Sequence, residues 1–239
     1  MKDNSVDFKK AYSSANELLY SSQTIDTFPF SPQKLVKEKS DIRCRSYSKA
    51  IKYGVDIRDF GSDSATIFRI EEKEIIFYND SMPENHTRFS ILHEFGHGYL
   101  KHDFTDKSED SYRKFEIEAN FFSAQLLMPE QIIRELQRRG VSVNKTFLQN
   151  YFGVSEQAAE KRIETLAKTN YEWRSREEKA FDDIILMKYS AFIDGIKPKY
   201  SYYDSDYEEE MQKQRDTSFL LTQSVYANKE DLECSKLKL

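Results

Sequence analysis

No run of the 239 residues approaches the roughly 20 apolar positions needed to cross a bilayer. The opening MKDNSVDFKKAYSSANELL also lacks the apolar h-region that directs secretion, so the expectation is a cytoplasmic chain without membrane association. Cysteine is nearly absent. Cys44 and Cys234 stand far apart and form no metal-ligand spacing, which favours reduced thiols over a disulfide or a thiolate zinc site. Excess positive charge is missing too: the net charge of -5 excludes a general nucleic-acid coat while leaving room for a local basic face. No internal repeat is visible. Against these absences, 38% hydrophobic and 14% aromatic residues are too many for a wholly disordered chain. A chain of this length can bury a core without metals or disulfides as staples, so size alone demands no cofactor.

Hydrophobic spacing predicts a helix over residues 7 to 20, and Ser31-Pro32 predicts a second that ends near Ser40. Between Asp41 and Asn79, DIRCRSY, ATIFRI and KEIIFYND are rich in β-branched and aromatic residues and predict a small, mostly antiparallel sheet. A long helix is expected from Pro83 or Asn85 to His102. Another follows from about Tyr112 to Met128, and EQIIRELQRR carries helical character on to Gly140. Two short helices are expected around Phe152-Gly153-Val154-Ser155. After residue 171 the composition shifts: Trp173, Phe181, Ile184, Ile185, Tyr189 and Phe192 predict one more packed helix, and the acidic, tyrosine-rich stretch beyond it is expected to be partly disordered.

His93-Glu94-Phe95-Gly96-His97 is an HExxH motif. Side chains four apart share a helix face, so both imidazoles can meet one metal ion while Glu94 borders the same cleft. Zinc held by three protein ligands keeps a fourth position for water, so a third ligand is required. A metzincin would place Gly at position 100 and His at 103, where this chain has Leu100 and Asp103. His102, on a continuing helix, would point away from the metal face and reads as a capping or surface histidine. In KFEIEANFFSAQLLMP, Lys114, Glu118 and Gln125 form one polar side, expected to face solvent. Glu116, Asn120 and Ser123 form a second polar strip among apolar neighbours. A carboxylate in such surroundings must be paired, hydrogen-bonded or metal-bound, which favours Glu116 as third ligand. Asn120, one turn on, is placed to accept from the non-ligating nitrogen of a ligand histidine, or to make a simple interhelix hydrogen bond.

RFSILHEFGHGYL followed by EIEANFFSAQLLMP resembles the ImmA/IrrE family of bacterial and phage metallopeptidases over roughly residues 10 to 170. The resemblance implies an α+β, zincin-like domain with gluzincin ligation: Zn2+ on His93, His97 and Glu116, and Glu94 as general base. It implies a zinc endopeptidase whose substrate is a helix-turn-helix repressor of a mobile element, phage or stress response. On this reading residues 1–130 are the metallopeptidase domain, 131–170 a helix-turn-helix-like region and 171–239 a C-terminal extension. The peptide is expected to add to the sheet edge along Lys73 to Asn79.

The main rival is a regulator that binds DNA through residues 145–167, or binds protein, without cleavage. Against DNA contact, Glu156, Glu160 and Glu164 line one side of the second helix, and Lys161 and Arg162 are the only basic residues between positions 156 and 167.

Overall fold

In the computed structural model, which describes residues 5–52, 54–70, 73–105, 108–169, 174–198 and Lys213, the chain begins with an amphipathic helix. Ala11, Ala15, Leu18 and Leu19 recur at helical spacing along α1 (Phe8–Ser21) and are buried, while the Asp7 side chain accepts from Lys10 N to close the first turn. Pro32 at the first helical position starts α2 (Pro32–Lys39).

The fold is α+β, with one three-stranded sheet among the described residues: β1 (Arg43–Ser46), β2 (Ala65–Ile70) and β3 (Lys73–Tyr78), in the order β1-β3-β2. β2 and β3 form an antiparallel hairpin with Ile67 opposite Ile76, and β1 runs parallel to β3 with Cys44 opposite the same residue. The expected substrate edge is therefore corrected: β3 is the central strand, paired on both sides. The sequence marks β3 as a strand, but which strand lies at an edge depends on long-range pairing. β1 and β2 therefore run antiparallel with β3 between them, joined by a connection that holds α3 (Tyr47–Ile51) and a 3-10 turn at Ile57–Phe60, and β2 is the return that lets β3 run parallel to β1. The Tyr47 and Phe60 rings stack at 3.9 Å and, with Phe68 and Phe77, form a small second core that the sequence pattern did not announce.

α4 (Glu84–Tyr99) and α5 (Glu109–Leu127) pack side by side against the sheet and α1. Gly96 sets their separation: a Cβ there would come within 2.9 Å of the Phe122 ring and 3.5 Å of Ala119 Cα. Only glycine permits this approach. Two expectations about this region are corrected. α4 stops at Tyr99 rather than His102, because Lys101 adopts φ 56° and turns the chain, with His102 N donating to His97 O at 3.1 Å. On α5, Glu118 is 3% exposed and Gln125 0%, so the side read as a solvent stripe is covered by α1. Polar residues on α1 make that burial tolerable: Asn16 Oδ1 accepts from Gln125 Nε2 at 2.8 Å and from Gln131 Nε2 at 3.1 Å.

α6 (Glu130–Arg138) follows Pro129 directly. α7 (Lys145–Phe152) and α8 (Glu156–Lys168) are joined through Gly153, which takes φ 63°, and Ser155, which caps α8 by accepting from Ala158 N. Arg162 points into the interior, 1% exposed, with its guanidinium donating to Met128 O at 2.9 Å and to Gln125 Oε1. Lys145 pairs with Glu156 and Glu160, and Lys161 with Glu164. α9 (Arg176–Lys188) and α10 (Ser190–Asp194) complete the core through Ile185, Tyr189 and Ile193. The Tyr189 hydroxyl lies 2.9 Å from Leu19 O and 3.1 Å from Ile25 O. Arg174 meets Asp182 at 2.6 Å and also pairs with Glu130.

Met1–Lys197 is one compact unit. Pro198–Leu239 is a second, and apart from Pro198 and Lys213 it lies outside the described residues, as do Trp173, Cys234 and the acidic tyrosine-rich stretch. Among the described residues no helix is long and apolar enough to cross a membrane.

Candidate metal centre

One turn of α4 separates His93 from His97, and their Nε2 atoms lie 3.0 Å apart. The close α4–α5 approach at Gly96 delivers Glu116 to both: Oε2 is 3.3 Å from His93 Nε2, and Oε1 is 3.3 Å from His97 Nε2. One donor atom from each of the three residues falls within 4.8 Å of the others, and this trio could hold a metal ion. The three residues singled out in the sequence are thus brought together.

Asn120, one turn after Glu116, places Oδ1 3.0 Å from His93 Nδ1. An amide oxygen only accepts, so His93 Nδ1 carries the proton and Nε2 presents its lone pair. His97 Nδ1 is taken up by His102 Nδ1 at 2.9 Å. Beyond it, His102 Nε2 lies 3.0 Å from Glu118 Oε2, and Glu118 Oε1 accepts from Asp7 N at 2.7 Å. His102 is therefore neither a capping nor a surface residue: its side chain is 1% exposed and its ring stacks on Phe115 at 4.5 Å. Sequence reasoning missed it because the angular argument assumed a helix that continues. It missed Glu118 because α1 covers that face.

The donor set passes a simple test of fit. Two imidazole nitrogens 3.0 Å apart, each with its ring partner engaged, face one another beside a carboxylate. Electron pairs converging in this way suit a cation, and two imidazoles with one carboxylate are a donor set that zinc accepts. The two imidazoles beside it, His93 first, hold the Glu116 carboxyl well below the usual range against the effect of burial, so it faces them as an anion. Burial opposes a proton on His93, but the adjacent Glu116 overcomes it and raises that pKa. His102 is driven down to about 3, by burial first and then by His97 and Lys10, so its ring is neutral.

Glu94 borders the trio and belongs to the sheet as much as to α4. Its Oε2 accepts from Ile67 N at 2.9 Å. In an antiparallel ladder, alternate residues direct their N–H and C=O toward the partner strand or away from it. Ile67 therefore faces outward from β3, and so do the backbones of Ala65 and Arg69. Burial raises the Glu94 pKa, and the two imidazoles draw it partly back.

At the rim, the Phe104 ring lies 5.3 Å from that of His97 and 6.4 Å from that of Tyr112. Tyr112 is exposed and sits one turn before Glu116, whose negative charge raises the phenol pKa and keeps the hydroxyl protonated. Neither aromatic was singled out from sequence, since exposed rings carry no periodic signal.

A cavity of about 850 Å3 lies away from this trio, lined by residues including Ser14, Asp41, Lys73 and Tyr99. Residues 50–164 match the family model described as the IrrE N-terminal-like domain, peptidase M78. No curated protein matches the chain.

Proposed function

Because residues 50–164 match the model of the IrrE N-terminal-like domain, peptidase M78, we propose that this chain is a zinc-dependent endopeptidase with Glu94 as its general base. The observation that carries the reading is the convergence of His93, His97 and Glu116, with Glu94 held beside them by the edge strand. His93 Nε2, His97 Nε2 and the Glu116 carboxylate would hold the zinc. A zinc ion there supplies a Lewis acid for the scissile carbonyl and makes a water acidic enough to deprotonate near neutral pH.

The remaining steps fall to the protein. Ile67 N–H occupies Glu94 Oε2, which leaves Oε1 to take the proton of the attacking water and return it to the leaving amine. The raised pKa of Glu94 suits a group that must both accept and donate. Asn120 keeps the His93 ring oriented. The peptide pairs as an added strand with the outward backbone groups of β2 rather than with β3.

The proposed substrate is a helix-turn-helix transcriptional repressor of a mobile element, phage or stress response, the substrate class that the ImmA/IrrE resemblance implies. The disposition of α8 favours this over direct DNA binding. Arg162 is buried, and Lys145 and Lys161 are paired with carboxylates of α8, so no cluster of unpaired basic groups lines that helix.

The test combines zinc content with cleavage of repressors encoded beside this gene. Wild-type protein should carry one zinc and cut one of them. Glu94→Gln should keep the zinc and lose cleavage by about 10^2- to 10^4-fold. Undiminished cleavage by Glu94→Gln would falsify the assigned base, and zinc without cleavage of any neighbouring repressor would favour a binding regulator.

A further inference from the structure

We propose that His102 and Glu118 are positioning residues for zinc: they form, with the backbone of Asp7, a one-way hydrogen-bonded line that locks His97 with its Nε2 lone pair toward Glu116. The proposal rests on the zinc site assigned above and adds a determinant of its affinity that lies in none of the three ligands.

Glu118 Oε1 accepts from Asp7 N at 2.7 Å, and Lys114 Nζ stands 4.0 Å from the same oxygen. A carboxylate in those surroundings acts as an acceptor, so the contact at Oε2 is filled by a donor, His102 Nε2–H, at 3.0 Å. In a neutral imidazole the other nitrogen is then an acceptor. His102 Nδ1 therefore receives His97 Nδ1–H across 2.9 Å, and His97 Nε2 is left without a proton. With His102 neutral and Glu118 ionised, each member of the line is satisfied in this direction.

The line is also rigid. His102 and Glu118 side chains are 1% and 3% exposed, so water does not substitute readily for either partner. The His102 ring is clamped against Phe115, and its backbone N–H is bonded to His97 O at 3.1 Å through the turn at Lys101. With Nδ1 facing the far side of the His97 ring from Glu116, His102 is not placed as a fourth ligand. Its effect on the ion passes through His97. The line ends on the residue that caps α1, so the first turn of that helix, 111 positions before Glu118, supports the ligand geometry.

The readout is zinc affinity, measured by competition with a chromophoric chelator, and the visible bands of the cobalt-substituted protein. His102→Phe keeps the ring and its packing but leaves His97 Nδ1–H without an acceptor. It should weaken zinc binding about 10- to 100-fold and shift the cobalt bands. His102→Gln, which offers an acceptor and a donor, should recover part of the loss. If His102→Phe does not fold, Glu118→Gln carries the test, with an expected weakening of about 3- to 10-fold. Wild-type affinity and an unshifted cobalt spectrum in the folded variants overturn the proposal. Failure of the wild type itself to bind one zinc, or retention of zinc by His93→Ala, would instead overturn the site assignment.

Discussion

Gly96 and Phe122 meet where a single methyl group would collide, at 2.9 Å. That contact fixes how near α5 comes to α4, and so how near Glu116 comes to the two histidines. Gly96→Ala should force the helices apart by a few tenths of an ångström and cost about 1 to 3 kcal/mol of stability. It should also weaken zinc binding. Gly98→Ala is the control: its Cβ would sit 3.4 Å from Ile42 Cδ1, an ordinary contact, and alanine favours the helix. Urea midpoints and zinc affinity of the two variants check this, and equal behaviour contradicts it.

Removing zinc should destabilise the fold. An ion that binds only the folded chain, present at about 100 times its dissociation constant, adds about 2.7 kcal/mol. Thermal melts should therefore rise on adding zinc and fall with excess chelator. His93→Ala and Glu116→Ala should melt at the same temperature in both conditions. A zinc-dependent shift of wild-type size in either variant would place the ion elsewhere.

Glu38 provides an acid-sensitive clamp remote from the metal centre. Burial pushes its carboxyl up, yet donors from Ser22 Oγ at 2.7 Å, Gln23 N at 2.9 Å, and Thr24 N and Oγ1 at 3.0 and 2.7 Å together hold it down at about 2. A folded-state pKa below the unfolded value of about 4.3 means the contribution is complete above that value and is lost as pH falls through about 2. Glu38→Gln should cost about 1 kcal/mol at pH 6, a figure reduced for partial exposure. The gap from wild type should close between pH 5 and 2. Denaturation at pH 6, 4 and 2.5 measures it, and a constant gap refutes the assignment.

Arg162 is a structural cation rather than a surface one. Arg162→Ala strips donors from Met128 O and Gln125 Oε1 in a sealed region and should cost about 3 to 5 kcal/mol. Lys161→Ala, one residue away and exposed, should change stability by less than about 0.5 kcal/mol. Were Arg162 a nucleic-acid contact, the order of these two effects on folding would have no reason to hold.

The helices and the convergence of His93, His97 and Glu116 were legible because both depend on local spacing. Four residues make one turn, and a carboxylate on an otherwise apolar flank of α5 announces a partner. What the sequence concealed is long-range. β3 reads as a strand whether it is central or at an edge, since its own residues do not name its neighbours. Glu118 and Gln125 look solvent-facing until α1 lies over them with Asn16 as a matching polar group. The position of His102 depends on one backbone angle at Lys101, a lysine that nothing local marks for a left-handed turn. The Tyr47–Phe60 stack joins two segments that share no period.

The bond from Ile67 N–H to Glu94 has a bearing on selectivity. The strand that would grip an incoming chain is the one that already grips the proton acceptor, so docking and aiming are mechanically one event. A peptide lying along β2 in a shifted register would disturb the Ile67 amide and turn the carboxylate away from its water. Such a peptide would be held and left whole, which makes long, strand-forming sequences that pair out of step a rational starting point for inhibitors.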